Sequence, residues 1–411
     1  MVAAAVAMPV EDTGRAPDRG SVGGVFAAFL VLGLTSFGGP VAHLGYFRDA
    51  FVTRRRWIDE ADYADLVALC QFLPGPASSQ VGFAIGLLRA GPLGALAAWT
   101  AFTLPSAALL VAFAYGAASF SGPLGQAVIH GLKLVAVAIV AQAVLGMSRT
   151  LAPDRARSAI AVAALALVSL VGGGIGQVGA IAGGALAGLL VCRNGRTSAA
   201  SSLRFAVLPA AAIMCLVSFI VLLVGLPLVQ AATSSQPVAV FDAFYRSGAL
   251  VFGGGHVILP LLQARIVHPG WMSESTFLAG YGAAQAVPGP LFTFAAYLGA
   301  LIKPGAGGVA GAALALVAVF LPGLLILVAA LPFWNGLRAR ASAQAALRGA
   351  NAAVVGILAA ALYDPVWTSA VLAPRDFLVA GAGFVALVSW KLPPWIVLAG
   401  VVAATVGLSS G

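Results

Sequence analysis

Two short stretches carry the chemistry this sequence has to offer. One is QFLPGP at 71–76, followed by Ser78 and Ser79; the other is QAVPGP at 285–290, followed by Thr293. In each, a glutamine (Gln71, Gln285) precedes a Pro-Gly-Pro break, Pro74-Gly75-Pro76 or Pro288-Gly289-Pro290. Proline is well tolerated at the start of a helix, because its missing N–H would be unpaired there anyway. The turn that follows offers free N–H groups, the positive end of a helix dipole and hydroxyls. Such a turn holds an anion without a cation. A second pair of breaks, Gly38-Gly39-Pro40 and Gly253-Gly254-Gly255, either unwinds a helix or lets another backbone approach closely. His43 and His256 stand shortly beyond these breaks as candidates for a proton or substrate contact. Lys133 lies inside an apolar span, where an ionisable residue is costly and commonly functional. Each feature also has an architectural reading: a hairpin cap for Pro-Gly-Pro, close packing for the glycines and histidines, and snorkelling to an interface for Lys133.

Other chemistries find no support in the residues. There is no GxxxxGK[ST], no HExxH and no Cys/His cluster, so ATP hydrolysis, metal or haem chemistry, a cofactor and an enzymatic role are not expected. The GxGxxG pattern at 174–179 follows no strand and suits helix packing instead. Cys70, Cys192 and Cys215 lack paired spacing and read as small apolar fillers.

The elements that must position these residues follow from composition. The chain has 411 residues, 61% hydrophobic and 9% charged. No Asp, Glu, Lys or Arg lies between Arg89 and Lys133, Arg157 and Arg193, Arg204 and Asp242, or Lys303 and Arg338. Each gap exceeds the roughly 20 residues a helix needs to cross a bilayer. An all-α polytopic membrane protein with roughly 10–13 membrane segments follows. The net charge of +9 sits on Lys and Arg scattered among connecting segments, as cytoplasmic loops require, so no nucleic-acid partner is implied.

The chain is also an internal duplication. FGGP at 37–40 answers FGGG at 252–255, and Trp57 answers Trp271. QFLPGP answers QAVPGP, Pro105 answers Pro322, and Gly131 answers Gly349. All five landmarks keep one order, at offsets of 214 to 218 positions. The expected division is a disordered tail (1–23), a first repeat (24–192), a basic linker with an extra apolar span (193–239) and a second repeat (240–411). Segments of about a dozen residues flank each Pro-Gly-Pro, too short to cross alone, and fit a re-entrant hairpin or one discontinuous helix. Lys/Arg bias swaps between equivalent turns, with Arg149, Arg155 and Arg157 in one copy and Arg338 and Arg340 at a different turn of the other. That swap favours inverted repeats. Counting five crossings per copy plus the 205–230 span leaves them parallel, so one segment is miscounted.

FGGP, RRRWID, QFLPGPASSQVGFAIG, FGGGHVILPLL and GYGAAQAVPGPLFTFAAYLG together resemble the chromate ion transporter family in its two-domain form. The resemblance runs from about residue 24 to 409. It implies a bacterial inner-membrane protein that exports chromate and confers resistance, with sulfate, another tetrahedral dianion, as a competing substrate. The lipid bilayer is then its one other partner; oligomeric state is left open. The family motif falls on Gly38, Gly39, Pro40, Gln71, Pro74, Gly75, Pro76, Gly253, Gly254, Gly255, Gln285, Pro288, Gly289 and Pro290. Pro40 against Gly255 marks a difference between the copies.

Overall fold

The computed structural model describes residues 20–37, 39–117, 122–171, 173–192, 205, 207–252, 255–303, 307–334 and 340–409. Among these the chain is helical with no strand. Gly38, Gly253, Gly254, Arg338 and most of the tail and linker lie outside the described residues. Among the described residues, six helices are long and apolar enough to cross a membrane.

The first repeat opens with two hairpins. Helix α1 (Val22–Thr35) has 14 residues, about 21 Å of rise, which reaches the middle of a bilayer from one face but not the other. The chain reverses after α1 and returns as α2 (Gly39–Phe47) and a π-helical turn (Arg48–Arg54). Aromatic contacts show the reversal: the Phe29 ring lies 5.6 Å from Phe47 and 4.7 Å from Phe51. Helix α3 (Glu60–Phe72) starts behind an Asp59 cap and runs inward to the first Pro-Gly-Pro. Helix α4 (Ala77–Ala117) then begins outward and breaks at Ala90 and Gly91, so that its 92–117 arm reverses along the 77–89 arm. Gly86 and Gly94 press together at that reversal, and Gly86 would place a Cβ 2.8 Å from Ala98.

The open ends of both hairpins meet at one face. The Gly20 N–H donates to Arg89 O at 3.0 Å, and the Arg89 and Arg55 guanidinium groups lie 5.4 and 5.7 Å from the Trp57 ring centre. The first helix is therefore a half-helix of a re-entrant hairpin and not a crossing. It is the segment that a count of five crossings gets wrong. The crossings of this repeat are the 92–117 arm of α4, α5 (Pro123–Leu151), α6 (Arg155–Val171) and α7 (Gly173–Val191).

Helix α8 (Pro209–Thr233) joins the copies and faces lipid along most of its length, with only 6% of its central window buried. The second repeat repeats the plan. Helix α9 (Gln236–Ala249) pairs with a 3-10 turn (Gly255–Val257) and α10 (Ile258–Ile266). Helix α11 (Glu274–Ala284) pairs with a 3-10 turn (Leu291–Thr293) and α12 (Phe294–Leu301). Tyr297 Oη donates to Thr276 O at 3.0 Å, and Lys303 N to Trp271 O at 3.2 Å, closing that hairpin at its open end. Then come α13 (Gly308–Ala330), α14 (Ala341–Ala361), α15 (Pro374–Val388) and α16 (Pro394–Ser409).

Helix registers decide how the copies are related. Gly184 of α7 packs on Gly349 and Ala353 of α14, while Gly188 packs on Ala345 and Gly349. One number rises as the other falls, so α7 and α14 run in opposite senses. Consecutive crossings joined by short turns reverse, which gives α5 and α7 the same sense. Helix α14 is the counterpart of α5, and the two are therefore antiparallel. A second register agrees. His130 of α5 meets Asp376 of α15 at 3.0 Å, and Gly383 would place a Cβ 3.3 Å from Ala138, so α5 and α15 run together. Helix α15 is the counterpart of α6, which opposes α5. The repeats are inverted, and each embraces the other: α14 sits against α6 and α7, and α5 against α15 and α16. Arg48, Arg54, Arg55, Arg56, Arg89, Arg149, Arg155, Arg157, Arg340, Arg348 and Lys391 share one face, the excess that marks a cytoplasmic side.

Candidate functional site

Inversion sends two hairpins into the membrane from each face, and their four tips meet. Backbone at such a tip has no helix or water to pair with, and unpaired groups in hydrocarbon cost several kcal/mol. The tips solve this for one another. Gly75 N–H donates to Val251 O at 2.8 Å, and Gly289 N–H donates to Ser36 O at 2.9 Å. These are equivalent bonds exchanged between repeats: each Pro-Gly-Pro glycine caps the last carbonyl before the other repeat's Phe-Gly-Gly.

The glycines are required by geometry. Gly75 has φ +120° and Gly289 φ +105°, regions that side-chain-bearing residues rarely adopt. A Cβ on Gly75 would lie 2.8 Å from Gly323 Cα, and one on Gly289 would lie 2.7 Å from Ser106 Oγ. Gly323 and Ser106 are themselves equivalent positions, directly after Pro322 and Pro105. Gln80 Nε2 donates to Pro74 O at 2.9 Å and Gly323 O at 2.8 Å, pinning the first tip to α13. Gly255 would place a Cβ 3.3 Å from the Pro40 ring, so the two Phe-Gly-Gly breaks also touch.

Each returning half-helix, α2, the 77–89 arm of α4, α10 and α12, starts at a tip and runs outward. Their N-terminal ends converge from opposite faces, each carrying roughly half a positive charge. Two of the opposing carbonyl ends, at Ser36 and Val251, are capped by the exchanged bonds.

The side chains divide sharply by whether they already have a partner. His43 is buried, with Nε2 3.2 Å from Ser36 O and Nδ1 3.4 Å from Ser78 Oγ, so it joins the first tip to the first turn of α4. His256 Nδ1 lies 2.7 Å from Tyr281 Oη, joining the equivalent hairpins of the other repeat. The Thr293 hydroxyl donates to Pro290 O at 2.7 Å and acts as a cap. Five other tip groups are buried without a hydrogen-bond partner among the described residues: the donors Ser36 Oγ, Ser79 Oγ, Thr103 Oγ1 and Gln285 Nε2, and the acceptor Gln80 Oε1. Ser36, Ser79 and Thr103 are at most 2% exposed. Phe102 beside Thr103 packs on His43 at 5.3 Å and offers its carbonyl to the surroundings of Gly289, which places Thr103 at tip depth.

Of the residues expected from sequence to contact substrate, Gly39, Pro40, Gly75, Pro76, Ser78, Ser79, Gly255, Gly289, Pro290 and Thr293 stand at the tips. The structure brings these together with Pro74, Pro288, Gln285 and both histidines. Gln71 is exposed at the end of α3, although its counterpart Gln285 contributes a buried amide. Lys133 is half-buried on α5, where its charge interacts with Glu274 at the start of α11. Ser36, Gln80, Thr103, Ser106 and Tyr281 were missed. The only signal for Thr103 and Ser106 was the FTLP echo that contains or adjoins them. Three cavities of about 490, 500 and 350 Å³ lie elsewhere, and no tip residue lines any of them.

Inverted repeats whose broken helices meet at mid-membrane define a secondary-transporter class of protein. Comparison narrows it. The chromate transporter family model matches residues 23–189 and 238–408, one match for each repeat, and the chain belongs to that family. A chromate transport protein of Pseudomonas aeruginosa is 32% identical over 89% of this chain and 87% of its own length. One from Cupriavidus metallidurans is 28% identical over 92% and 91%. An uncharacterized transporter of Methanocaldococcus jannaschii is 26% identical over 82% of both chains. No solved structure matches.

Proposed function

We propose that the chain exports chromate from a bacterial cell across the inner membrane, with the oxyanion held where the four tips meet, and so confers resistance. The observation that carries this reading is the set of donors at Ser36, Ser79, Thr103 and Gln285, buried at the tips without a hydrogen-bond partner among the described residues. A buried hydroxyl or amide left unpaired costs about 1–3 kcal/mol, a cost that hydrogen bonds to a bound oxyanion would offset. Tetrahedral dianions match it: four oxygens accept from several directions, and neutral donors release what fixed cations would retain. One charge crossing 100 mV is worth about 2.3 kcal/mol. A dianion leaving an inside-negative cell therefore gains about 4.6 kcal/mol per 100 mV, enough to drive export without a second ion.

The test is radiolabelled chromate flux in inside-out vesicles with an imposed potential and sulfate as competitor. Uptake into vesicles that rises with an interior-positive potential, with the oxyanion recovered chemically unchanged, is the expected result. Flux that ignores the potential removes this driving force. Stronger inhibition by sulfate than by unlabelled chromate reassigns the substrate.

A further inference from the structure

Away from the tips, at the arginine-rich face, two of the cavities are parts of one slot. The first, about 500 Å³, is lined by Asp154, Arg155, Arg157 and Arg348 with Ala156, Val191 and Cys192. The second, about 490 Å³, is an apolar groove between α6 and α7, lined by residues such as Ile160, Ala163, Leu167, Gly183 and Ala187. Ala156 and Val191 line both, so the polar chamber opens directly into the groove. The chamber lies at the ends of α6, α7 and α14, where the membrane surface must fall. The groove runs from it along α6 and α7 toward the bilayer centre.

We propose that this slot binds an anionic phospholipid, its phosphate at the arginines and one acyl chain in the groove. Charge decides the occupant. Arg157 Nε is paired with Asp154 Oδ2 at 2.7 Å, and the N–H and guanidinium of Arg157 hold that carboxyl below its usual range. Arg348 Nη2 donates to Cys192 O at 2.7 Å. Arg155 has no carboxylate partner among the described residues, so the chamber keeps a positive surplus. A zwitterionic headgroup brings its own cation, which that surplus repels. Basic pockets between transmembrane helices on the cytoplasmic side are where anionic headgroups bind.

Arg155 and Arg157 belong to the first repeat and Arg348 to the second, so one phosphate would join the two repeats where α14 packs on α6 and α7. The proposal is independent of which substrate the tips carry.

The experiment measures phosphatidylglycerol and phosphatidylcholine bound to the purified full chain, by native mass spectrometry and by thermal stabilisation on titrating each lipid. Arg155→Gln removes the unpaired charge. Gly183→Leu projects into the groove, and no atom lies within 4 Å of its added Cβ. Unchanged elution and unchanged lipid-free melting serve as the folding control. The parent should prefer phosphatidylglycerol, and Arg155→Gln should weaken it about fivefold, the worth of one arginine near a lipid surface. Gly183→Leu should weaken both lipids, and millimolar inorganic phosphate, lacking a tail, should not compete. Equal binding of the two lipids by the parent overturns the proposal. So does parent-like phosphatidylglycerol binding by both variants, or displacement by free phosphate.

Discussion

Replacing Ser79 by alanine separates a binding site from a merely architectural crossing, because the structure assigns opposite signs to its two effects. The Ser79 hydroxyl is 2% exposed and has no partner. Without substrate it is a liability of about 1–3 kcal/mol, the desolvation cost of an unpaired polar group. Ser79→Ala removes that liability and only one heavy atom, so the substrate-free protein should be as stable as the parent or more so. With substrate bound the hydroxyl donates to a charged oxygen, a bond worth about 1.5–3 kcal/mol. Losing it should weaken apparent chromate affinity about 10- to 150-fold. Thr293→Ala, at the equivalent position, should do the reverse. Its hydroxyl already caps Pro290 O at 2.7 Å, so stability falls by about 0.5–1.5 kcal/mol while affinity holds. The assays are thermal unfolding of the purified variants and concentration-dependent chromate flux in proteoliposomes at matched protein. A Ser79→Ala protein that is less stable yet transports with parental affinity refutes the reasoning and makes the crossing a structural joint.

Four further outcomes follow from the same geometry. Pro76→Ala and Pro290→Ala let the half-helices extend backward through the breaks and pair the N–H groups assigned to substrate, so both should lose chromate affinity in the flux assay. Unchanged affinity in both would place the site elsewhere. Gly75→Ala should be more damaging to thermal stability than Gly289→Ala: both incur about 1–3 kcal/mol of backbone strain, but the first also meets the rigid backbone of Gly323 while the second meets a rotatable serine. In a background lacking Cys70, Cys192 and Cys215, cysteines at Pro153 and Leu372, in equivalent turns, should label from opposite faces of intact cells; labelling from one face contradicts the inversion. At the interface between repeats, Gly188→Leu drives a side chain into the α14 backbone and should prevent assembly. Gly225→Leu on lipid-facing α8 meets nothing within 4 Å and should leave expression and elution unchanged.

The half-helices and their breaks were legible because local rules govern them. Pro-Gly-Pro cannot continue a helix, and a dozen apolar residues cannot span a bilayer. The exposure of Gln71 against the buried amide of Gln285 was not legible, since both glutamines precede the same Pro-Gly-Pro by three residues and their burial depends on what packs against them. The same holds for the hydroxyls. Ser79 and Thr293 stand at equivalent positions, yet the Ser79 hydroxyl has no partner among the described residues while that of Thr293 donates to Pro290 O.

The sequence by itself determined that the chain is helical, membrane-embedded and duplicated, and where each copy breaks. Hydropathy, proline chemistry and residue spacing act along the chain, so a reader of the chain recovers them. Only the tertiary structure decided that α1 turns back instead of crossing. That reversal sets the parity of crossings, and parity sets the inversion of the repeats. Inversion in turn brings Gly75 to Val251 and Gly289 to Ser36. These are contacts across more than 170 residues, created by where a tip finds the partner its unpaired backbone requires, and no local pattern encodes that choice.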